Sequence, residues 1–180
     1  MSNAAEARGP GFNLMNVGLG GIGARPGKDG LSTTAFPSGV GTIPVEVTEA
    51  EGPLVFWRKD LIPDSGGAGT FRGGLGQRIE VGSIDGDAFL ASAATWDRMR
   101  FPPRGRAGGR DGQAGAARLA SGTPLTGKSL HRIPAGDRLV VELPGGGGFG
   151  DPRERSAERL AEDLADGYIT PDGRRRDYGG

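Results

Sequence analysis

The sequence DSGGAGTFRGGLGQ occupies residues 64–77 and is the most characteristic glycine-rich stretch of the chain. Glycine at this density lets a backbone adopt left-handed dihedral angles and approach another backbone or a ligand closely. Asp64 and Arg72 supply opposite charges that can hold the segment in one shape. We therefore interpret this stretch as an ordered loop.

The composition favours a folded chain with a thin core. Gly 36 and Pro 13 among 180 residues are close to the proportions of low-complexity sequences. However, the formal net charge is +0 and the glycines cluster between short aliphatic runs, which favours order. Leu, Ile, Val and Phe make up only about a fifth of the chain, the lower limit for a self-sufficient globule. We expect a single domain that belongs to a larger subunit.

The residue inventory excludes several classes of site. There is no cysteine, so disulfides, thiolate nucleophiles and Cys-ligated zinc are excluded, and His131 is the only histidine. The N-terminal segment lacks a signal-peptide core and no run approaches the ~20 apolar residues of a membrane span, so we expect a cytoplasmic protein. With 22 basic and 22 acidic residues, the chain has no electrostatic footprint for nucleic acid.

Hydrophobic periodicity predicts a mainly β (α+β) fold with antiparallel sheets, long Gly/Pro-rich loops and one C-terminal helix. The Glu-Gly-Pro turn at 51–53 and the Asp-Gly-Asp turn at 85–87 each predict a hairpin between the strands that flank them. The adjacent prolines and the glycines of 101–115 oppose regular structure. The predicted strands are IPVEVTE at 43–49, LVFWR at 54–58, RIEVGSI at 78–84, AFLASAA at 88–94 and RLVVELP at 138–144.

A helix is predicted after residue 151. Asp151 suits the N-cap, Pro152 suits the first helical position, and Gly167 suits the end. We expect a β-rich region with glycine loops over residues 1–150, with the C-terminal helix and tail of residues 151–180 packed on it.

Three short motifs resemble active-site sequences. GTPLTGKS at 122–129 has the spacing of a phosphate-binding loop with Lys128 and Ser129, but no helix is predicted after it, which favours a hairpin connection. DSGG resembles a serine-protease nucleophile motif, for which the only available base is His131. GGGGFG at 145–150 either binds an anion at a helix N-terminus or lets the last helix pack close to the sheet.

Six glycine- or proline-rich segments together resemble the C-terminal part of the hydantoinase B/oxoprolinase family, which includes N-methylhydantoinase B, 5-oxoprolinase and acetone carboxylase-like subunits. They are GGIGARPGKDG at 20–30, PVEVTEAEGP at 44–53, PDSGGAGTFRGGLGQ at 63–77, DRMRFPPRGRAGG at 97–109, PGGGGFGDPRER at 144–155, and DLADGYIT with the final DYGG.

The resemblance implies a subunit, or fused half, of an enzyme that hydrolyses cyclic amides such as hydantoins or 5-oxoproline using ATP. It also implies partners, namely a hydantoinase A-like subunit that handles ATP and the N-terminal part of a hydantoinase B-like subunit, where the metal ligands lie. We expect ATP and a divalent metal in the complete hetero-oligomeric complex, no cofactor bound by this chain, and no nucleic acid or membrane partner. An ATP-dependent ketone carboxylase subunit and a non-catalytic assembly module remain alternatives.

Four residues are the candidates for a role near the chemistry, although the sequence does not identify catalytic residues: Asp64, Arg72, Asp97 and Arg98. An arginine could hold a substrate carboxylate or carboxyphosphate bidentately, with the acids orienting it. The alternative is an internal ion pair that anchors two glycine loops. Glu46 and Glu49 are expected to face opposite sides of a strand and so to form no acid/base pair.

Overall fold

The structure, a computed structural model, describes residues 1–3, 11–15, 18–34 and 41–179. Within these ranges the strands are β1 (Ser2–Asn3), β2 (Leu54–Leu61), β3 (Gln77–Ser83), β4 (Phe89–Ser92), β5 (Ala116–Leu119), β6 (Leu130–Ile133) and β7 (Arg138–Glu142). The helical segments are α1 (Val45–Glu51), a 3-10 turn (Pro152–Glu154), α2 (Ala157–Ala165), α3 (Pro171–Arg174) and a π-helical turn (Arg175–Gly179).

Two antiparallel sheets contribute to one hydrophobic core. One sheet has the order β2-β3-β7-β5 and the other the order β1-β4-β6. Apolar residues face each other across the strands, as Val81 does Leu139 of β7, because side chains alternate between the faces of a sheet. The core residues come from both sheets and are Leu54, Val81, Phe89, Ala91, Ala117, Leu119, Ile133, Leu139 and Val141. The predicted mainly β fold with a C-terminal helix is confirmed.

The glycine-rich segments pack backbone against backbone around residues 145–148. We call residues 21–24, 65–74, 104–112 and 145–148 the glycine bundle. A Cβ atom added to the central glycines would meet a carbonyl oxygen of another segment: 1.9 Å from Ser65 for Gly145, 2.0 Å from Ile22 for Gly146, 2.2 Å from Arg104 for Gly147 and 2.3 Å from Ala68 for Gly148. Successive glycines thus face three segments in turn, with the three-residue period of a polyproline II helix.

Hydrogen bonds between segments satisfy the backbone of the glycine bundle. The amides of Gly146 and Gly148 donate to the carbonyl oxygens of Gly74 and Arg110 at 2.8 and 2.9 Å. Within 64–77, the left-handed backbone occurs at Asp64, with φ of 60°, and at none of the glycines. The glycines of this stretch are therefore required for close backbone approach, which was one of the two reasons predicted from the sequence.

The strand predicted at 43–49 is wrong, because the chain forms helix α1 over Val45–Glu51. The alternating valines indicated a strand. In the structure, however, Pro44 immediately precedes the helix, and Thr48, one helical turn after Pro44, is the buried residue, whereas Val47 remains exposed. The side chain of Glu49 accepts a hydrogen bond from the Phe56 amide at 2.7 Å. Glu46 and Glu49 are consequently three apart on a helix, so the prediction that they face opposite sides of a strand is also wrong.

Both predicted hairpins are wrong, although the later strands exist. β2 pairs with β3, since its predicted partner is a helix. The Asp-Gly-Asp turn is present, with Gly86 at φ of 73°, but β3 and β4 enter different sheets. β5 and β6 also lie in different sheets, so the segment 122–129 does not join them as a hairpin, although Pro124 folds back to form an antiparallel bridge with Arg118 of β5. Turn chemistry located the reversals of the chain but did not determine which strands pair.

The C-terminal segment begins with Asp151, as predicted, but α2 begins later. The Asp151 carboxylate accepts from the Arg153 amide at 2.9 Å and caps the 3-10 turn. Ser156 then caps α2, and Gly167, with φ of 71°, follows its end. Apolar side chains of this segment pack on the glycine bundle at Ala68: they are Leu160, Ile169 and Tyr178.

Candidate functional site

Two buried arginines, one buried aspartate and one half-buried aspartate form a cluster between the glycine bundle and the C-terminal segment. We call Asp29, Arg72, Arg155 and Asp163 the ionic cluster. The two terminal nitrogens of Arg155 donate to the two carboxylate oxygens of Asp29, each at 2.9 Å. One of them also donates to Asp163 Oδ2 at 2.7 Å, and Arg72 Nε donates to the same oxygen at 3.2 Å. The charges of these four residues alternate in sign, and Arg159 adds an ion pair to Asp29 at 3.6 Å from the exposed side.

The cluster holds its charges in place by mutual compensation. Burial alone would raise the pKa of Asp29, but the hydrogen bond and charge of Arg155 outweigh it and hold that pKa below its usual value. Burial likewise opposes the charge of Arg155, whose pKa is nevertheless raised by Asp29 and Asp163. Since the carboxylates face guanidinium donors, the cluster is chemically suited to joining segments of the fold.

Arg72 is buried, at 4% exposure, and its contacts are internal. Besides the ion pair to Asp163, it donates to the Gly73 carbonyl oxygen at 2.8 Å and its guanidinium lies 5.0 Å from the centre of the Tyr168 ring. The Arg72 amide donates to the Asp29 carboxylate at 2.7 Å. A substrate carboxylate would have to displace these partners to reach its guanidinium.

Asp64 contacts the C-terminal segment at a different point. Its carboxylate accepts from the Thr170 amide at 2.8 Å and from the Thr170 hydroxyl at 2.6 Å. The glycine at 173 leaves space for this carboxylate, which an added Cβ would approach to 2.0 Å. Among the described residues no ion pair joins Asp64 to Arg72. The expectation that their opposite charges meet is therefore wrong, because each contacts residues that follow position 152.

Asp97 and Arg98 lie at the rim of an open groove of about 1020 Å³. We define the groove as the space between residues 96–101 and 115–128. The Asp97 carboxylate pairs with Lys128, and the hydrogen bond and charge of Lys128 lower the pKa of Asp97. The four candidate residues are thus divided between two places, with Asp64 and Arg72 at the glycine bundle and the other two at the groove.

The motifs that resemble active sites do not form those sites. Ser65 is fully buried, and its hydroxyl donates to the Ile62 carbonyl and accepts from the Gly76 amide. His131 instead stacks on Trp96, with ring centres 5.5 Å apart. After Lys128 the chain enters β6 and then β7, so the described residues 130–142 provide no helix N-terminus that could face a phosphate.

Sequence reasoning missed three members of the ionic cluster. Asp163 carried a signal, because it lies three residues after Leu160 on the apolar side of α2, where an acid requires a partner. Arg155 and Asp29 carried no comparable signal, since their neighbours in the sequence are polar or glycine.

Within the part of the chain that the structure describes, three buried polar atoms have no hydrogen-bond partner: Gln77 Oε1, Arg155 Nε and Tyr178 Oη. Burial raises the pKa of Tyr178 to about 12. Among the described residues, no group of three or more His, Cys, Asp or Glu side chains is arranged to hold a metal ion. No helix within the described ranges has the length and apolar character needed to cross a membrane.

Comparison with known families matches most of the chain. The family model described as Hydantoinase B/oxoprolinase matches residues 1–152. An uncharacterized protein of Methanocaldococcus jannaschii is 38% identical over 138 residues, which cover 75% of this chain and 24% of that protein. A protein of a Pseudomonas species, named as a component of a D-/L-hydantoinase, is 30% identical over 172 residues, which cover 92% of this chain and 28% of that protein.

The fold is similar to a solved structure, that of the ATP-dependent caprolactamase from Pseudomonas jessenii. The TM-score is 0.78 at 29% identity, and the match covers 89% of this chain and 29% of that chain. The present chain spans about a quarter of the length of the curated relatives it matches. The family resemblance of the sequence is confirmed.

Proposed function

The chain belongs to the hydantoinase B/oxoprolinase family, and from this premise we propose that it is the C-terminal portion of a hydantoinase B-type subunit. Together with a hydantoinase A-like partner and the N-terminal part of such a subunit, it takes part in the ATP-dependent hydrolysis of a cyclic amide. A hydantoin or 5-oxoproline is the substrate class we propose.

One observation carries the proposal. The fold matches that of a protein named as an ATP-dependent caprolactamase along 89% of this chain, but only along 29% of that chain. A caprolactam is a cyclic amide, so the reaction class is shared with the proposed substrates. The remaining length of such relatives provides room for groups that the described residues do not supply.

The role we assign to this portion is a rigid platform. Residues 1–150 and 151–180 act as one unit, because Asp29 and Arg72 before position 150 are neutralised by Arg155 and Asp163 after it. Asp64 and Arg72 serve in this proposal as anchors of the glycine bundle. Asp97 and Arg98 face the groove and are the candidates for contact with a ligand.

The described residues do not fit a divalent metal. They contain no cluster of three suitable ligands. The Asp163 carboxylate, which is buried, and that of Asp29 already accept from arginines. ATP and the metal are therefore assigned to the other parts of the proposed complex, with the hydantoinase A-like partner handling ATP.

A non-catalytic assembly module is the second candidate, and the neutralised ionic cluster favours it. A cluster whose charges already compensate one another suits a scaffold, and the groove would then contact only protein. A ketone carboxylase subunit would place the same platform beside a different reaction. The hydrolase and carboxylase functions differ in the substrate that the complete complex converts, whereas an assembly module is not itself required for the chemistry.

The test is reconstitution. This chain is co-expressed with a hydantoinase A-like subunit and the N-terminal part of a hydantoinase B-like subunit, and ATP-dependent opening of 5-oxoproline and of hydantoin is assayed. We expect hydrolysis that disappears when this chain is omitted. Acetone with bicarbonate is supplied in a parallel assay, where turnover would indicate a carboxylase.

Equal hydrolysis by the partners without this chain would contradict the proposal and leave the assembly or remnant interpretation. The Gly23→Ala variant is the matched positive control, because its added methyl group meets nothing closer than 3.7 Å and should leave the fold intact. Its activity should equal that of the unmodified complex.

A further inference from the structure

The groove combines an apolar floor with arginines that lack a carboxylate partner among the described residues, and we propose that it is a binding site for a small amphipathic carboxylate. Its volume of about 1020 Å³ is at the upper end of the usual range for ligand pockets. The proposed ligand has one apolar body, which lies on the floor, and one carboxylate group, which lies at the rim.

The floor of the groove is built from side chains that also pack on the protein core. Trp96, Met99 and Leu125 are half-buried and contact the core cluster from the side of the groove. The absence of a side chain at Gly115 leaves room for Met99, whose sulfur would lie 2.8 Å from an added Cβ. An apolar ligand group bound here would be buried against side chains that also pack on the core, which is favourable because its apolar surface leaves water.

The rim supplies the positive charge. Asp97 and Lys128 pair with each other and so compensate each other. Among the described residues, no carboxylate forms an ion pair with Arg98 or Arg100, although the charge of Arg98 contributes to the lowered pKa of Asp97. The contact of the Arg100 guanidinium is with the Phe101 ring, 5.3 Å away. A guanidinium presents donors in a planar fork that matches a carboxylate.

The backbone of Arg98 adds a second observation. Arg98 has a φ of 57°, a left-handed conformation that is unfavourable for a residue with a Cβ atom. The Gly115 amide donates to the Arg98 carbonyl oxygen at 3.0 Å and holds this conformation. Strained residues of this kind concentrate at ligand clamps and active sites. This residue is one of those that line the groove.

The choice of a carboxylate over other anions rests on the proposed function, because hydrolysis of a cyclic amide adds water across the C–N bond, which turns the ring carbonyl group into a carboxylate and leaves the nitrogen as an N–H group. Every such product carries the carboxylate, and one whose ring or substituent is a hydrocarbon also carries the apolar body.

The experiment is an NMR titration of the isolated ¹⁵N-labelled chain with hexanoate. The chain has two tryptophans, Trp57 and Trp96, so in the Trp57→Phe variant the remaining indole signal belongs to Trp96. We expect shifts of the Trp96 indole and of the Met99, Gly115 and Leu125 amides. Acetate, which has the charge without the apolar body, and hexanamide, which has the body without the charge, should each bind at least about tenfold more weakly.

The variant that removes the rim charge is Arg98→Gln combined with Arg100→Gln, which should raise the dissociation constant for hexanoate by roughly tenfold or more. The matched control is Arg104→Gln, which removes a charge from an exposed arginine of a neighbouring segment that does not line the groove. It should bind hexanoate like the unmodified chain. An unchanged dissociation constant in the double variant would overturn the proposal.

The proposal is also overturned if no groove signal moves at about 10 mM hexanoate, or if hexanamide binds as well as hexanoate does. Concentration-dependent shifts of the same signals without ligand would assign the groove to a second copy of the chain instead. The failure of the carboxylate-site proposal can be distinguished from the failure of the proposed function. A reconstituted complex that hydrolyses a cyclic amide while its chain ignores hexanoate disproves only the carboxylate site, and the reverse result disproves only the proposed function.

Discussion

The ionic cluster and the groove use the same residue types in opposite ways. Arg72 is buried, and each of its charged contacts is internal, whereas Arg98 is exposed and has no carboxylate partner among the described residues. A buried charge needs a compensating partner within the fold, whereas water solvates an exposed charge, which remains able to bind a ligand. An arginine in a glycine-rich loop therefore indicates function only when its surroundings leave its donors free.

The largest effect is expected in the glycine bundle. In Gly146→Ala the added methyl group would lie 2.0 Å from the Ile22 carbonyl oxygen, so backbone must move. We expect a loss of more than about 4 kcal/mol in the free energy of unfolding, measured by urea denaturation. Gly23→Ala is the control, with nothing closer than 3.7 Å, and should unfold at the same urea concentration as the unmodified chain. Similar midpoints for the two variants would contradict this close packing of backbone on backbone.

The ionic cluster should respond next. Arg155→Leu removes the residue that pairs with both aspartates and leaves Asp163 buried with one partner fewer. We expect a loss of about 3–5 kcal/mol in unfolding free energy. Arg153→Gln, which breaks an ion pair on the surface two residues away, should leave the melting temperature unchanged. If the Arg155→Leu and Arg153→Gln variants have the same melting temperature, the cluster does not stabilise the fold.

A residue in each region has a left-handed backbone, which allows the two regions to be compared by the same substitution. Asp64 and Arg98 have φ values of 60° and 57°, so glycine should relieve strain at either position. Arg98→Gly should raise stability by up to about 1 kcal/mol, because the side chain contributes little to the fold. Asp64→Gly should instead lower stability by about 1–3 kcal/mol, since Thr170 loses its acceptor. Thermal unfolding that changes in the same direction for both would contradict the division into anchor and ligand contact.

The smallest effect at neutral pH is expected for Tyr178→Phe. The Tyr178 hydroxyl has no hydrogen-bond partner among the described residues, so its removal should change neutral-pH stability little. Burial raises the folded-state pKa from 10.0 to about 12. The unfolded chain therefore loses the proton first, and stability that is present below pH 10 declines as the pH rises towards 12. Melting curves of the variant should show a weaker decline over this range, and an identical decline would contradict the assignment to Tyr178.

The sequence predicted the fold class and the family but only part of the pairing. Strands β2, β3, β4 and β7 followed from short apolar runs, because alternation is a local property. The partners of β3 did not follow, because β7 joins it from more than fifty positions away and no local signal records that contact. The helix at 45–51 was missed because seven residues can satisfy both periods.

The candidate site was predicted to a similar extent. Arg72 and Asp64 were singled out in the loop at 64–77 as site or anchoring candidates. The structure pairs them with Asp163 and Thr170, and pairing across such distances depends on the tertiary fold. Asp97 and Arg98 were singled out together, and the structure places both at the groove rim. The groove itself could not be predicted, since it forms between segments that are distant in sequence.

Native-state amide hydrogen exchange tests the contrast between the two regions most directly. The amides of Gly146 and Gly148 donate across the glycine bundle and should exchange only through global unfolding, so that Gly146→Ala and urea accelerate them together. The amides of residues 97–101 should exchange rapidly through local motion that urea barely affects. Equal and rapid exchange in both regions would contradict this contrast, because the glycine bundle would then be no more rigid than the segment that lines the groove.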